Sequence, residues 1–219
     1  MNLICISASN ILHQTSKNST SYRICDAIIN AMHNEFIGTT GRIIELKKKC
    51  IYPCIGCGKC YSTRRCAFDD DFNAIYDELV AADVIVITSP HYAPIPTKLS
   101  ALLEKMEQIT FLHWGMNNAY KSEMFGKLAG IISHGGGGTW ALKSYKAMVN
   151  DTIANALDTI QLKIVPFNDE WNTGLSLPVE KVSFNEDDIF PHQAYDWDFI
   201  ALQILKYVRQ IIKLHTCAN

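Results

Sequence analysis

The chain of 219 residues lacks an excess of either charge. Its 20 Lys and Arg stand against 22 Asp and Glu, for a formal net charge of −2. Nucleic-acid binders are usually basic, so that class is set aside. No apolar run reaches the roughly 18–20 residues that a membrane-spanning helix needs. The opening segment MNLICISAS has no charged leader and no small-residue cleavage site, and reads as a buried strand. The expectation is a cytoplasmic chain, bound to neither membrane nor nucleic acid, with reduced thiols. In that setting an even cysteine count is no argument for disulfides. No linker and no internal repeat divides the sequence, so one domain over 1–219 is expected. Its 48% apolar and 19% charged content is ordinary for a globular chain with a full core.

What the sequence does have is an alternation of strand and helix patterns. Leu3–Ser7 is an apolar run, and Ile24, Ala27, Ile28 and Met32 recur at helical spacing over Thr20–Met32. Arg42–Leu46 reads as a strand, and Asp69–Asp71 as the cap of a helix through Ile75, Leu79 and Val80. Asp83–Thr88 is a continuous apolar strand of the kind buried on both faces of a parallel sheet. A helix over Thr97–Met106, an irregular stretch over 107–126 and a strand at Leu128–Ser133 follow. Then come a helix over Trp140–Leu157 and a strand at Leu162–Val165. A long loop over 167–191 leads to an amphipathic helix over Gln193–His215. This order predicts an α/β, flavodoxin-like three-layer sandwich on a five-stranded parallel sheet in the order 2-1-3-4-5. Ligands of such sheets sit beyond the carboxyl ends of the strands, where the loops after strands one, three and four converge.

Those three loops have unusual compositions. The first, from Ser7 to Thr20, holds no glycine, which excludes the G-x-G-x-x-G dinucleotide fingerprint. Its hydroxyl and amide side chains lead into a helix N-terminus, a setting that suits a phosphate or a plain helix cap. The second, Ser89-Pro90-His91-Tyr92-Ala93-Pro94-Ile95-Pro96, is stiffened by three prolines and can set backbone groups edge-on to a planar heterocycle. The third, His134 followed by Gly135-Gly136-Gly137-Gly138, suits close approach to a ligand or positive φ.

Five of the eight cysteines fall between residues 50 and 66. Cys54, Cys57, Cys60 and Cys66 form a C-x2-C-x2-C-x5-C run, a compact spacing of the kind that holds an iron–sulfur cluster. Zinc more often uses two separated C-x2-C pairs, and free thiols or a disulfide are the other readings. Cys50 is a candidate spare ligand, and Lys59, Arg64 and Arg65 could offset cluster charge. Cys5 and Cys25 read as small buried hydrophobes.

Together, PCIGCGKCYSTRRCAFDDDF and AADVIVITSPHYAPIPTKLSALLEKM resemble the iron–sulfur flavoprotein branch of the NADPH-dependent FMN reductase family. The resemblance implies FMN, a 4Fe–4S cluster on Cys54, Cys57, Cys60 and Cys66, and a homodimer or homotetramer. It carries the phosphate loop onto Ser9, Asn18, Ser19 and Thr20. The flavin-ring loops fall on Pro90, His91, Tyr92 and Ala93, and on Gly135, Gly136 and Gly137, with His134 as a ring neighbour. The family often has glycine near Ala93. The implied activity is that of an FMN-dependent oxidoreductase or electron-transfer flavoprotein. Its donor is NAD(P)H or ferredoxin, and its acceptor a small molecule or a protein. An NAD(P)H-dependent FMN, quinone or nitro reductase without a cluster is one alternative, and a cysteine-based redox or metal sensor another.

Overall fold

The computed structural model describes residues 1–12, 15–184 and 192–218. Strands β1 (Asn2–Ser7), β2 (Thr40–Glu45), β3 (Val84–Pro90), β4 (Leu128–His134), β5 (Lys163–Ile164) and β6 (Leu175–Leu177) form one parallel sheet. Helices α1 (Thr20–Glu35), α2 (Cys60–Thr63), α3 (Phe72–Ala81), α4 (Thr97–Met116), α5 (Leu142–Tyr145), α6 (Asp151–Thr159) and α7 (Trp197–Ala218) accompany it. A separate antiparallel pair joins β7 (Lys181–Ser183) to β8 (His192–Ala194).

The period-2 alternation of a strand explains the three layers. Ile4, Ile6, Ile85, Ile87 and Ile131 face a core shared with α3, α4 and α6. Their neighbours Leu3, Cys5, Val84, Val86 and Ile132 face the opposite core, shared with α1 and α7. Every residue of β3 and β4 is buried, which is why these strands read as unbroken apolar runs.

The order 2-1-3-4-5 holds, with the fifth position split in two. β5 pairs with Leu128 and Ala129, and β6 with Ile132, Ser133 and His134. The chain leaves the sheet between them and returns hard against β4 at Gly174, where φ is +117°. A Cβ at Gly174 would lie 2.2 Å from the Ile131 carbonyl oxygen, so only glycine fits there. The stretch 167–191, expected as loop, thus contains β6 and β7; residues 185–191 of it lie outside the described residues. Strands of three residues are too short to leave a periodic signature.

Two helices differ from their sequence patterns. α4 runs on to Met116 through the stretch expected to be irregular, because its last turns expose Phe111, Trp114 and Met116 and so break the apolar periodicity. The helix expected over Trp140–Leu157 is wound in several ways. A 3-10 turn at Thr139–Ala141, α5, a π-helical stretch at Lys146–Asn150 and α6 follow one another. Within the π-helical stretch, buried Asn150 donates to the Leu175 carbonyl at 3.3 Å and ties this segment to β6.

Candidate functional site

Loops at the carboxyl ends of β1, β3 and β4 meet as expected from the topology. β1 hands over to the first loop by a bond from the Ala8 amide to the Thr88 carbonyl at 3.0 Å. Ser9 is buried, and its hydroxyl accepts the Ile11 amide at 3.4 Å. One 3-10 turn, Ser16–Asn18, precedes Ser19, the N-cap of α1, and Thr20 is the first helical residue. Ser19 makes no side-chain cap bond, and the first turn of α1 holds no acidic residue. Among the described residues, the Ser19 hydroxyl and the side-chain oxygen of Asn10 are buried without partners. Unused amides at a positive helix end, beside a buried unpaired hydroxyl, fit a phosphate.

After β3, the His91 amide donates to the His134 carbonyl at 2.9 Å, which joins the second loop to the third. The Tyr92 amide donates to the Pro94 carbonyl at 2.9 Å across a cis Ala93–Pro94 bond. Ala93 holds φ at +42°, the left-handed region that glycine occupies freely. His91 Nε2 is also buried without a partner among the described residues, and the His91 ring centroid is 5.6 Å from that of Tyr145. Tyr92 is 39% exposed, and partial burial pushes its phenol up from the ordinary range.

Packing beneath the glycine run requires glycine at two of its four positions. None of Gly135–Gly138 takes positive φ, so that part of the sequence expectation is corrected. A Cβ at Gly135 would lie 2.6 Å from the Tyr145 hydroxyl, and one at Gly137 would lie 2.5 Å from the Ala141 Cβ. The Gly137 amide donates to that same Tyr145 hydroxyl. Gly136 would meet only the Gln193 Nε2 at 3.1 Å, the mobile end of a long side chain. His134 itself is buried: Nε2 is 2.8 Å from the Ser21 hydroxyl and Nδ1 is 3.4 Å from that of Tyr195. Burial lowers its pKa to about 4, so the ring is neutral at ordinary pH and braces the loop against α1. The Tyr195 hydroxyl also donates to the Gly135 carbonyl at 3.1 Å. Tyr145, Gln193, Tyr195 and Ser21 were not legible as site residues, since each meets its loop through tertiary packing alone. Trp140 is 83% exposed beside the run.

The cysteine loop follows β2 and lies at the same end of the sheet. Cys54, Cys57, Cys60 and Cys66 line a single open pocket, which Phe68, Lys105, Gln108 and Ile109 complete. Cys50 and Cys217 are exposed and stand outside it. Gly56 and Gly58, at φ +66° and +68°, turn the chain between the first three cysteines. Backbone amides already point at sulfur: Gly56 to Cys54 Sγ at 3.4 Å, and Phe68 to Cys66 Sγ at 3.5 Å. Burial pushes the Cys60 thiol up, and the nearby Cys54, Cys57 and Cys66 push the same way. Among the described residues, no three His, Cys, Asp or Glu side chains converge to hold a single metal ion. Four thiols around a cavity, with amides aimed at two of them, fit a polynuclear cluster better than one tetrahedral zinc.

α4 links the two regions. It starts where the proline loop ends, and two turns on, Glu104 accepts the Cys54 amide at 3.0 Å. The neighbouring Lys105 forms part of the cavity wall and pairs with Asp70. Lys105 was not singled out in the sequence, and Asp70 only within the Asp69–Asp71 helix cap. The signal available was a lysine falling on the buried Leu102–Met106–Ile109 stripe.

Fold and site define a flavodoxin-like protein whose first, second and third loops meet at one end of the sheet, beside a cysteine-lined pocket. The chain belongs to the NADPH-dependent FMN reductase family, whose sequence profile matches residues 1–168. It is similar to an iron-sulfur flavoprotein of Methanosarcina thermophila, at 32% identity over 69 residues, 31% of this chain and 36% of that protein. A second iron-sulfur flavoprotein, from Methanocaldococcus jannaschii, matches at 32% identity over 78 residues, 35% of this chain and 39% of the other. The matched segments thus span little more than a third of these relatives. Among solved structures, RosB with a bound 8-demethyl-8-formylriboflavin-5'-phosphate intermediate superposes with a TM-score of 0.62 at 13% identity, over 99% of this chain and 79% of the other. A Fusobacterium nucleatum flavodoxin bound to flavin mononucleotide gives 0.52 at 12% identity, over 97% and 98%. At such identities the likeness shows the fold.

Proposed function

We propose that this protein is an FMN-dependent oxidoreductase whose four cysteines hold a 4Fe–4S cluster that exchanges electrons with the flavin. The carrying observation is the placement of Cys54, Cys57, Cys60 and Cys66 on one cavity, walled by the helix that emerges from the flavin loop. FMN supplies hydride and single-electron chemistry and a cluster supplies single electrons, so the pair suits conversion between the two kinds of carrier. The chain's own work is to bind and orient. The α1 N-terminus and Ser19 take the phosphate, with Ser9, Asn18 and Thr20 around it. Backbone of Pro90–Ala93 and of Gly135–Gly137 frames the ring. His91 Nε2 is a free polar atom in that frame, whereas His134 is neutral and already engaged.

In this reading NAD(P)H or ferredoxin is the donor, a small molecule or a protein is the acceptor, and the protein is a cytoplasmic homodimer or homotetramer. No described helix is long and apolar enough to cross a membrane. A second reading, an NAD(P)H-dependent reductase with an empty cavity, is favoured by the family profile, which covers residues 1–168 and is described by FMN reduction alone. Anaerobic purification followed by flavin, iron and acid-labile sulfide analysis separates them. FMN with iron and sulfide supports the cluster, FMN alone supports the plain reductase, and the absence of flavin sinks both.

A further inference from the structure

We propose that Lys105 sets the charge of the cysteine cavity and that Asp70 positions it there, an inference that rests on reading the cavity as an iron–sulfur site. Lys105 is 3% exposed and shares the cavity wall with all four cysteines. Its Nζ lies 2.5 Å from Asp70 Oδ2, with both side chains shut away from solvent. The rings of Phe68 and Phe72 flank the ammonium at 5.4 Å and 5.2 Å. Asp70 accepts the amide of Tyr52 at 2.9 Å and that of Phe72 at 2.9 Å. Tyr52 precedes the cysteine run and Phe72 follows it. One carboxylate therefore ties both ends of the loop while it holds a cation against the cavity.

A buried ion pair is a weak stabiliser, because desolvation offsets the attraction, and a well-packed apolar pair would serve folding as well. An apolar pair would not place a positive charge beside four thiolates. A thiolate-ligated cluster is anionic and gains one further negative charge when it accepts an electron, with no bond made or broken. A cation in a low-dielectric wall stabilises the more negative state and raises the reduction potential. The basic residues that the sequence offers for this role are placed otherwise. Lys59 and Arg64 are exposed, and Arg65 is committed to Asp77 at 2.7 Å and Glu123 at 2.8 Å.

The test compares parent, Asp70→Asn and the double variant Lys105→Met/Asp70→Asn, all prepared without oxygen. Each is assayed for iron and sulfide, for reduction potential by dithionite titration followed by EPR, and for thermal unfolding. Removing the counter-charge alone raises the potential above the parent's. Removing the lysine as well brings it back below that of Asp70→Asn. Equal potentials in the two variants, with iron retained, overturn the proposal. Asp70→Asn keeps the side-chain shape, so if the double variant does not fold, an unraised potential in Asp70→Asn overturns it alone. A parent without iron and sulfide overturns the cluster reading and this proposal with it, an outcome distinct from a loaded parent with unmoved potentials.

Discussion

The Tyr207 hydroxyl accepts the Ile131 amide at 3.1 Å and donates to the Val165 carbonyl at 2.8 Å. It stands where the outer ladder of β4 is interrupted, after β5 has ended and before β6 begins. One side chain from α7 thereby serves two backbone groups that neither strand reaches.

Tyr207→Phe keeps the ring but strands that amide and carbonyl in the core. An unpaired buried polar group costs about 1–3 kcal/mol. With two such groups stranded, the variant should lose about 2–6 kcal/mol of stability by denaturant unfolding while it keeps FMN affinity. Unchanged stability would mean that water or a neighbour takes over both bonds.

Folding and flavin binding should move apart at Ser19. Aspartate is as good an N-cap as serine, so Ser19→Asp should leave apo stability equal or slightly raised, by about 0.5 kcal/mol. It places a carboxylate where the phosphate is proposed to sit, so FMN affinity should fall at least about tenfold, or about 1.4 kcal/mol. Flavin-fluorescence titration beside thermal unfolding reads both. Equal affinity in parent and variant would move the phosphate away from the α1 terminus.

The cysteines divide into ligands and bystanders. Cys57→Ala should abolish iron and sulfide incorporation while the flavodoxin-like fold and FMN remain, because Cys57 lines the cavity and the flavin loops do not depend on it. Cys217→Ala, at the exposed end of α7, should change neither. Iron content equal to the parent's in Cys57→Ala would remove the cavity from consideration as the site.

His134 gives a pH signature. Burial holds it near pKa 4 in the folded protein, against about 6.5 in the unfolded chain. Between these values the unfolded chain binds the proton and the folded one does not, so stability falls as pH drops from about 6.5 to about 4. The loss attributable to this residue is on the order of 3 kcal/mol. His134→Gln should flatten that part of the stability profile. A variant profile parallel to the parent's would assign the slope to other groups.

The sequence made the fold visible where strands are buried on both faces. The unbroken apolar runs of β1, β3 and β4, with the loops at their carboxyl ends, were enough to place the sheet order and the convergence of loops. β5 was legible as the strand at Leu162–Val165, whereas β6 was hidden because three residues carry no period. Of the two reasons the glycine run suggested, positive φ is excluded, and Gly135 and Gly137 lie too close to Tyr145 and Ala141 to carry a side chain. The left-handed backbone lies at Ala93 instead. The cysteine spacing was legible in full, since the four thiols lie close in sequence. Its charged wall was not, because Lys105 meets Asp70 from 35 residues away and a lone lysine in a helix ordinarily reads as solvated.

The split fifth strand has a consequence for association. A long free strand edge is a template for pairing with another chain. β4 offers no such template on its outer side: β5 covers one end, β6 the other, and a phenol plugs the gap. The opposite border of the sheet, β2, is guarded differently, by the charged and exposed Arg42 paired to Glu78 at 3.1 Å. A copy of this chain that sought to extend the sheet would meet strands of only two and three residues on one side and a charged strand on the other.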